Sequence, residues 1–154
     1  MLADSNCESL SLHLIAEQPI QKELQVEQER ENIMEQYAES TWYVDIVHFL
    51  LYLQCSKHLE KKVVRSLKLK ATKYCLVDQQ LCRKDPGGIL LRCLGKSEIE
   101  EVISKSHEGA CGGHKYWKAT AYKLLRSGYY WPCLFSDVYW QVRACIPCQN
   151  FSSK

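Results

Sequence analysis

Residues 97–149 read SEIEEVISKSHEGACGGHKYWKATAYKLLRSGYYWPCLFSDVYWQVRACIPCQ, and four side chains within this stretch decide how it folds. His107 and His114 are separated by six residues, and thirty residues further on Cys145 and Cys148 are separated by two. Zinc prefers tetrahedral nitrogen and sulfur donors, and two imidazoles with two thiolates close such a site without leaving a position for water. The pattern therefore predicts one structural zinc ion, not a catalytic one. A bundle this small is not secure without a staple, which gives the metal a physical purpose. Cys111 in the His loop and Cys133 after YYWP are the rival thiols; neither has paired spacing, and both are read as packing residues.

The segments around these ligands have helical periodicity. Ser97 and Glu100 stand at capping-box spacing, where the hydroxyl accepts from the backbone while the carboxylate reaches back, and Ile99, Val102, Ile103 and Ser106 then share a face. His107 falls at the end of that helix. A second helix is expected over 115–127, with Trp117, Ala121, Leu124 and Leu125 inward and Gly128 as its terminator. A third places Phe135, Val138, Val142 and Cys145 on one face.

Upstream, Trp42 to Leu53 suits a short amphipathic helix, and His58 to Tyr74 carries Val63, Val64, Leu67 and Ala71 at helical spacing. YCLVDQQLCRK (74–84) and ILLRCL (89–94) are strand-like runs flanking DPGG, where Pro86 and Gly87 suit the central turn positions, Gly87 at the one that often needs positive φ. Residues 1–40 are read as a loose linker, because QKELQVEQERENIMEQYAES (21–40) has few apolar residues and no sustained face; the competing reading is an isolated or partner-induced helix, because Glu, Gln and Leu have good helix propensity.

Charge divides the chain at the same place. In residues 1–40 nine acidic residues against Lys22 and Arg30 leave −7, whereas the remainder has 18 basic and nine acidic residues and carries +9. An acidic leader precedes a module whose charge permits a polyanionic partner. The start, MLADSNCESL, lacks the features of a secretory signal, so the nine cysteines are read as reduced thiols in an intracellular protein, nuclear or cytoplasmic. Cys7, Cys55, Cys75, Cys82 and Cys93 are structural thiols by default. The longest apolar run, Tyr43 to Leu53, is well short of the roughly 20 residues of a membrane span.

Together His107, GGH ending at His114, GYYWP (128–132), Asp137 and CIPCQ (145–149) resemble the His-His-Cys-Cys zinc-binding domain at the integrase N-terminus of gypsy-like LTR retrotransposons and retroviruses. The resemblance places the family's zinc ligands on His107, His114, Cys145 and Cys148, in agreement with the spacing. TWYVDIVHFLLYL and the hairpin are similar to the region between ribonuclease H and integrase in such polyproteins, so the likeness covers about Thr41 to Gln149. It implies contact with retroelement DNA ends and with other integrase subunits. Family integrases use three carboxylates in a separate downstream core; the chain stops at Lys154, and strand transfer by this chain alone is not expected.

The expectation is thus a mainly α protein: a zinc-stapled three-helix bundle (96–150), preceded by a β-hairpin with additional helices (41–95) and a largely flexible acidic segment (1–40). For DNA, Lys115, Lys118 and Arg126 form a basic stripe with Tyr122 interleaved, although a solvated helix face explains the same charges. For a protein interface, Trp140 lies opposite the third helix's core face; packing against the hairpin is its alternative role. Asp45, Asp78 and Asp137 lack the surroundings of a catalytic metal triad and are read as solvated. No nucleotide-binding loop and no small-molecule substrate are expected.

Overall fold

The run YCLVDQQLCRK, expected as one strand, folds back on itself. In the computed structural model, which describes the backbone of residues 7–55, 59–108 and 113–152 and the side chains of 20–55, 59–108 and 113–150, it forms β1 (Tyr74–Val77) and β2 (Gln80–Lys84). These pair antiparallel with Val77 opposite Gln80, joined by Asp78 and Gln79 at φ +46° and +62°. Two consecutive left-handed residues make the tight turn whose twist matches the strands. Asp tolerates this conformation, and nothing in Asp-Gln advertises it as Asn-Gly would.

The next turn is the one expected at DPGG, with Pro86 and Gly87 at its central positions; only the positive φ falls one residue later. Gly88 N donates to Asp85 O at 2.8 Å and Asp85 N to Ile89 O at 2.8 Å, and Gly88 rather than Gly87 takes positive φ, +81°. A turn followed by one left-handed residue is the usual three-residue hairpin loop. It leads into β3 (Leu90–Cys93), antiparallel to β2. A two-residue strand, β4 (Tyr129–Tyr130) in GYYWP, then joins β3 in parallel, with Arg92 opposite Tyr129 and Cys93 opposite Tyr130. Parallel neighbours require a long crossover.

That crossover consists of α4 (Lys96–Glu108) and α5 (Trp117–Arg126), and α6 (Leu134–Arg143) with α7 (Ile146–Ser152) follow β4. The expected capping box at Ser97 and Glu100 gives way to half of one two residues earlier, with Gly95 in place of the capping hydroxyl. Glu98 Oε2 accepts from Gly95 N at 3.2 Å while its other oxygen binds Arg92, so the strand end sets where α4 starts. A side chain at residue 95 would meet Gln36 O at 3.2 Å, which explains the glycine. Gly128, at φ +87°, ends α5 as expected. On α6 Leu134, Val138 and Val142 are buried, whereas Phe135 turns outward against the Tyr122 ring.

The N-terminal segment corrects the linker reading. It forms α1 (Cys7–Gln36), the competing reading, and its end is anchored: Ile33 and Tyr37 are buried, and the Tyr37 hydroxyl donates to Cys93 O (3.2 Å) while accepting from Leu81 N (3.0 Å). A few apolar residues suffice because the sheet supplies the partner surface. α2 (Val44–Tyr52) and α3 (Lys61–Ala71) complete the element order, the latter burying Leu67 and Ala71; His58 lies outside the described residues. One apolar cluster runs from Ile33 through Leu81, Cys93 and Trp131 to Val142. Among the described residues no helix is long and apolar enough to cross a membrane.

Candidate metal centre

His107 occupies the last turn of α4, four residues after fully buried Ile103, so helical periodicity carries its ring inward to 2% exposure. The chain then reverses at Gly113 (φ +58°) and His114 (φ +48°), and His114 N donates to His107 O at 2.9 Å. This strap brings the rings to 5.1 Å, edge to face. Across from them α6 ends at Arg143. Cys145 N donates to Val142 O and Gln149 N to Cys145 O, a knuckle that places Cys148 one helical turn beyond Cys145 on the same side.

The four donors converge. Cys148 Sγ lies 3.2 Å from His107 Nε2 and 3.6 Å from His114 Nδ1, and Cys145 Sγ lies 3.4 Å from His114 Nδ1. All four ligand atoms fall within 4.8 Å of one another. Zinc bonds of about 2.0–2.3 Å in a tetrahedron set donors roughly 3.3–3.8 Å apart, so the residues present fit one zinc ion. Burial, then the neighbouring His114 ring, lowers the His107 pKa, favouring the neutral imidazole that ligates metal. Burial and then Cys145 raise the Cys148 thiol: two adjacent thiolates need a cation between them. His107, His114, Cys145 and Cys148 are thus positioned to hold one zinc ion, whose chemistry there is to fix the fold.

Two supports escaped the sequence reading. Lys123 Nζ on α5 donates to Ser106 O (3.1 Å), holding the last turn of α4 beside His107, and Gln149 Nε2 donates to Arg143 O (2.7 Å), closing α6 beside the Cys knuckle. Basic residues near helix C-termini commonly bind open carbonyls, but here the lysine comes from another helix, beyond local pattern. Of the rival thiols, Cys133 sits at the start of α6 packed against the core, and Cys111 lies outside the described residues.

The remaining candidates fall elsewhere. Lys115, Lys118, Tyr122 and Arg126 are all exposed, with Lys118 Nζ 5.4 Å from the Trp117 ring centre. Trp140 is 65% exposed, so it does not pack into the hairpin. With Trp42, Ile99 and Gln141 it lines a groove of about 660 Å³. Asp45, Asp78 and Asp137 are not brought together: among the described residues the His-Cys cluster is the only group of three or more potential ligands. Asp137 instead accepts from Nε1 of fully buried Trp131 at 2.7 Å, which ties GYYWP to α6 and makes this aspartate structural rather than solvated.

Residues 94–154 match a family model described as integrase zinc binding domain. No curated protein and no solved structure matches the chain significantly.

Proposed function

With an integrase zinc binding domain over residues 94–154, we propose that this chain engages DNA and supports subunit assembly in the integration complex of a gypsy-like retroelement, inside the cell, while the bond-making chemistry is supplied elsewhere. The supporting observation is the outer face of α5. Thr120, Ala121 and Leu124 are buried, while Lys118, Tyr122 and Arg126, with Lys115 just before the helix, face solvent on an element with no acidic residue. Phosphate neutralisation needs such cations, and an aromatic between them can stack on a base. The role assigned to the zinc site is to hold this face in place; its four donors leave no site for an activated water.

Fluorescence anisotropy of the zinc-loaded chain with duplex DNA tests this reading. Affinity should fall steeply with salt, and Lys118→Glu with Arg126→Glu should weaken binding across sequences and flatten the salt slope by about 1 per lost contact. Binding that ignores both salt and these substitutions would overturn it.

A second role, protein assembly, is favoured by the exposed Trp140 and Trp42 on the groove beside α4. Large aromatics open to solvent mark interaction surfaces. Trp140→Ala should shift sedimentation toward the monomer; an unchanged oligomer would remove Trp140 from the interface.

A further inference from the structure

Outside the metal centre a second pair of thiols is held together by the sheet. Cys75 on β1 and Cys82 on β2 are direct partners in the antiparallel register. Both are free and half-buried. Side chains alternate along a strand, and Leu81, beside Cys82, is fully buried toward the core. Cys82 and its cross-strand partner Cys75 therefore share the opposite face, where Arg92 on β3 stands next to Cys82.

The geometry suits a covalent bond. Opposed residues of an antiparallel pair have Cα atoms about 4.5–5.5 Å apart, and a disulfide spans roughly 4.4–6.8 Å. The other described cysteines lack this arrangement: Cys93 is fully buried, Cys133 and Cys55 pack against the core, and Cys145 and Cys148 face the metal site. The tight turn at Asp78 and Gln79 fixes the register, so the two cysteines stand opposite each other before any reaction, and a side-chain rotation is all that pairing requires.

We propose that Cys75 and Cys82 form a dithiol site that reacts with low-molecular-weight disulfides such as oxidised glutathione and closes to an intrachain disulfide, separately from the zinc ligands. One thiolate attacks a sulfur of the small disulfide, forming a mixed disulfide and releasing the first small thiolate. The other attacks the protein-side sulfur, forming the Cys75–Cys82 bond and releasing the second. Two protein thiols are oxidised, one small disulfide is reduced, and the two protons the protein thiols lose end on the two departing small thiolates, which leave as thiols. Burial and the adjacent Cys75 raise the Cys82 thiol, with the Arg92 guanidinium opposing, so the resting thiol is protonated and its attack quickens as pH rises. The ring formed contains Leu81, whose amide binds Tyr37; closure thus stiffens the strand on which the end of α1 docks.

The zinc-loaded full chain is equilibrated with oxidised glutathione, its remaining thiols are alkylated under denaturing conditions, and trypsin releases residues 74–83, a peptide containing both cysteines. Cleavage before Asp78 then separates the cysteines. The expected result is two unalkylated halves that stay joined until a reductant is added, together with a higher melting temperature of the oxidised protein. Cys75→Ser should trap glutathione on Cys82 and lose the thermal shift. Halves that separate without reductant, carry separate glutathiones in the unsubstituted chain, or are both alkylated while Cys145 and Cys148 oxidise instead would overturn the proposal.

Discussion

His107 shows how much rests on one side chain. It is buried at the end of α4, faces Cys148 through Nε2, and supplies the carbonyl that receives His114 N. Structural zinc contributes on the order of 10–16 kcal/mol in small fingers, comparable with a domain's whole stability. Cys148→Ser or His107→Ala should therefore abolish stoichiometric zinc and unfold the helices around it, read by metal content and circular dichroism. Cys133→Ala should keep the zinc and cost only about 1–2 kcal/mol; equal damage there would contradict the ligand set. Protons compete with zinc for all four donors, and the lowered His107 pKa adds to this in the metal-free fold. A histidine whose pKa is depressed on folding contributes above its unfolded value, about 6.5, and loses that contribution as pH falls through the folded one. Zinc retention, measured with a chromophoric chelator, should be level near neutrality and decline in acid. All four donors were legible in the sequence because their types and spacing carry the chemistry; Lys123 was not, because its partner Ser106 sits 17 residues away on another helix.

At the scale of elements, what the sequence shows depends on whether the signal is local. The loop at DPGG announces itself through Pro and Gly, whereas the turn between β1 and β2 puts Gln79 in a conformation that glycine usually takes. A non-glycine residue in the left-handed region costs about 1–2 kcal/mol. Asp78→Asn with Gln79→Gly should therefore raise the melting temperature of the zinc-loaded protein by an amount equivalent to roughly 1 kcal/mol. Gly88→Ala should lower it, although the space around that residue is open, because its φ of +81° strains any side chain. The capping box slipped for a related reason. Ser97 and Glu100 satisfy the spacing rule, but the hydrogen bond from Gly95 and the ion pair with Arg92 engage Glu98, and strand β3 fixes the helix start.

Across the whole molecule, the single apolar cluster joins α1, the sheet and the helices of the metal domain. The acidic leader hid this because its anchoring residues, Ile33 and Tyr37, are too few to form a periodic face; only the sheet they dock against makes them a core. Tyr37→Phe would remove the hydroxyl shared by Cys93 O and Leu81 N and leave two buried backbone groups unpaired, at about 1–3 kcal/mol by chemical denaturation. Trp131→Ala, which empties the centre of the cluster and frees Asp137, should cost about 3–5 kcal/mol.

The parallel pairing of β3 with β4 also orders events in time. β3 emerges from the ribosome before α4 and α5, and β4 only after them, so the sheet's last strand must wait for a long-range closure of the kind that slows folding. The two histidines lie before β4 and the two cysteines after it. A nascent chain synthesised as far as Tyr130 thus holds half a ligand set, and the tight metal grip that fixes the crossover helices waits until Cys145 and Cys148 have followed.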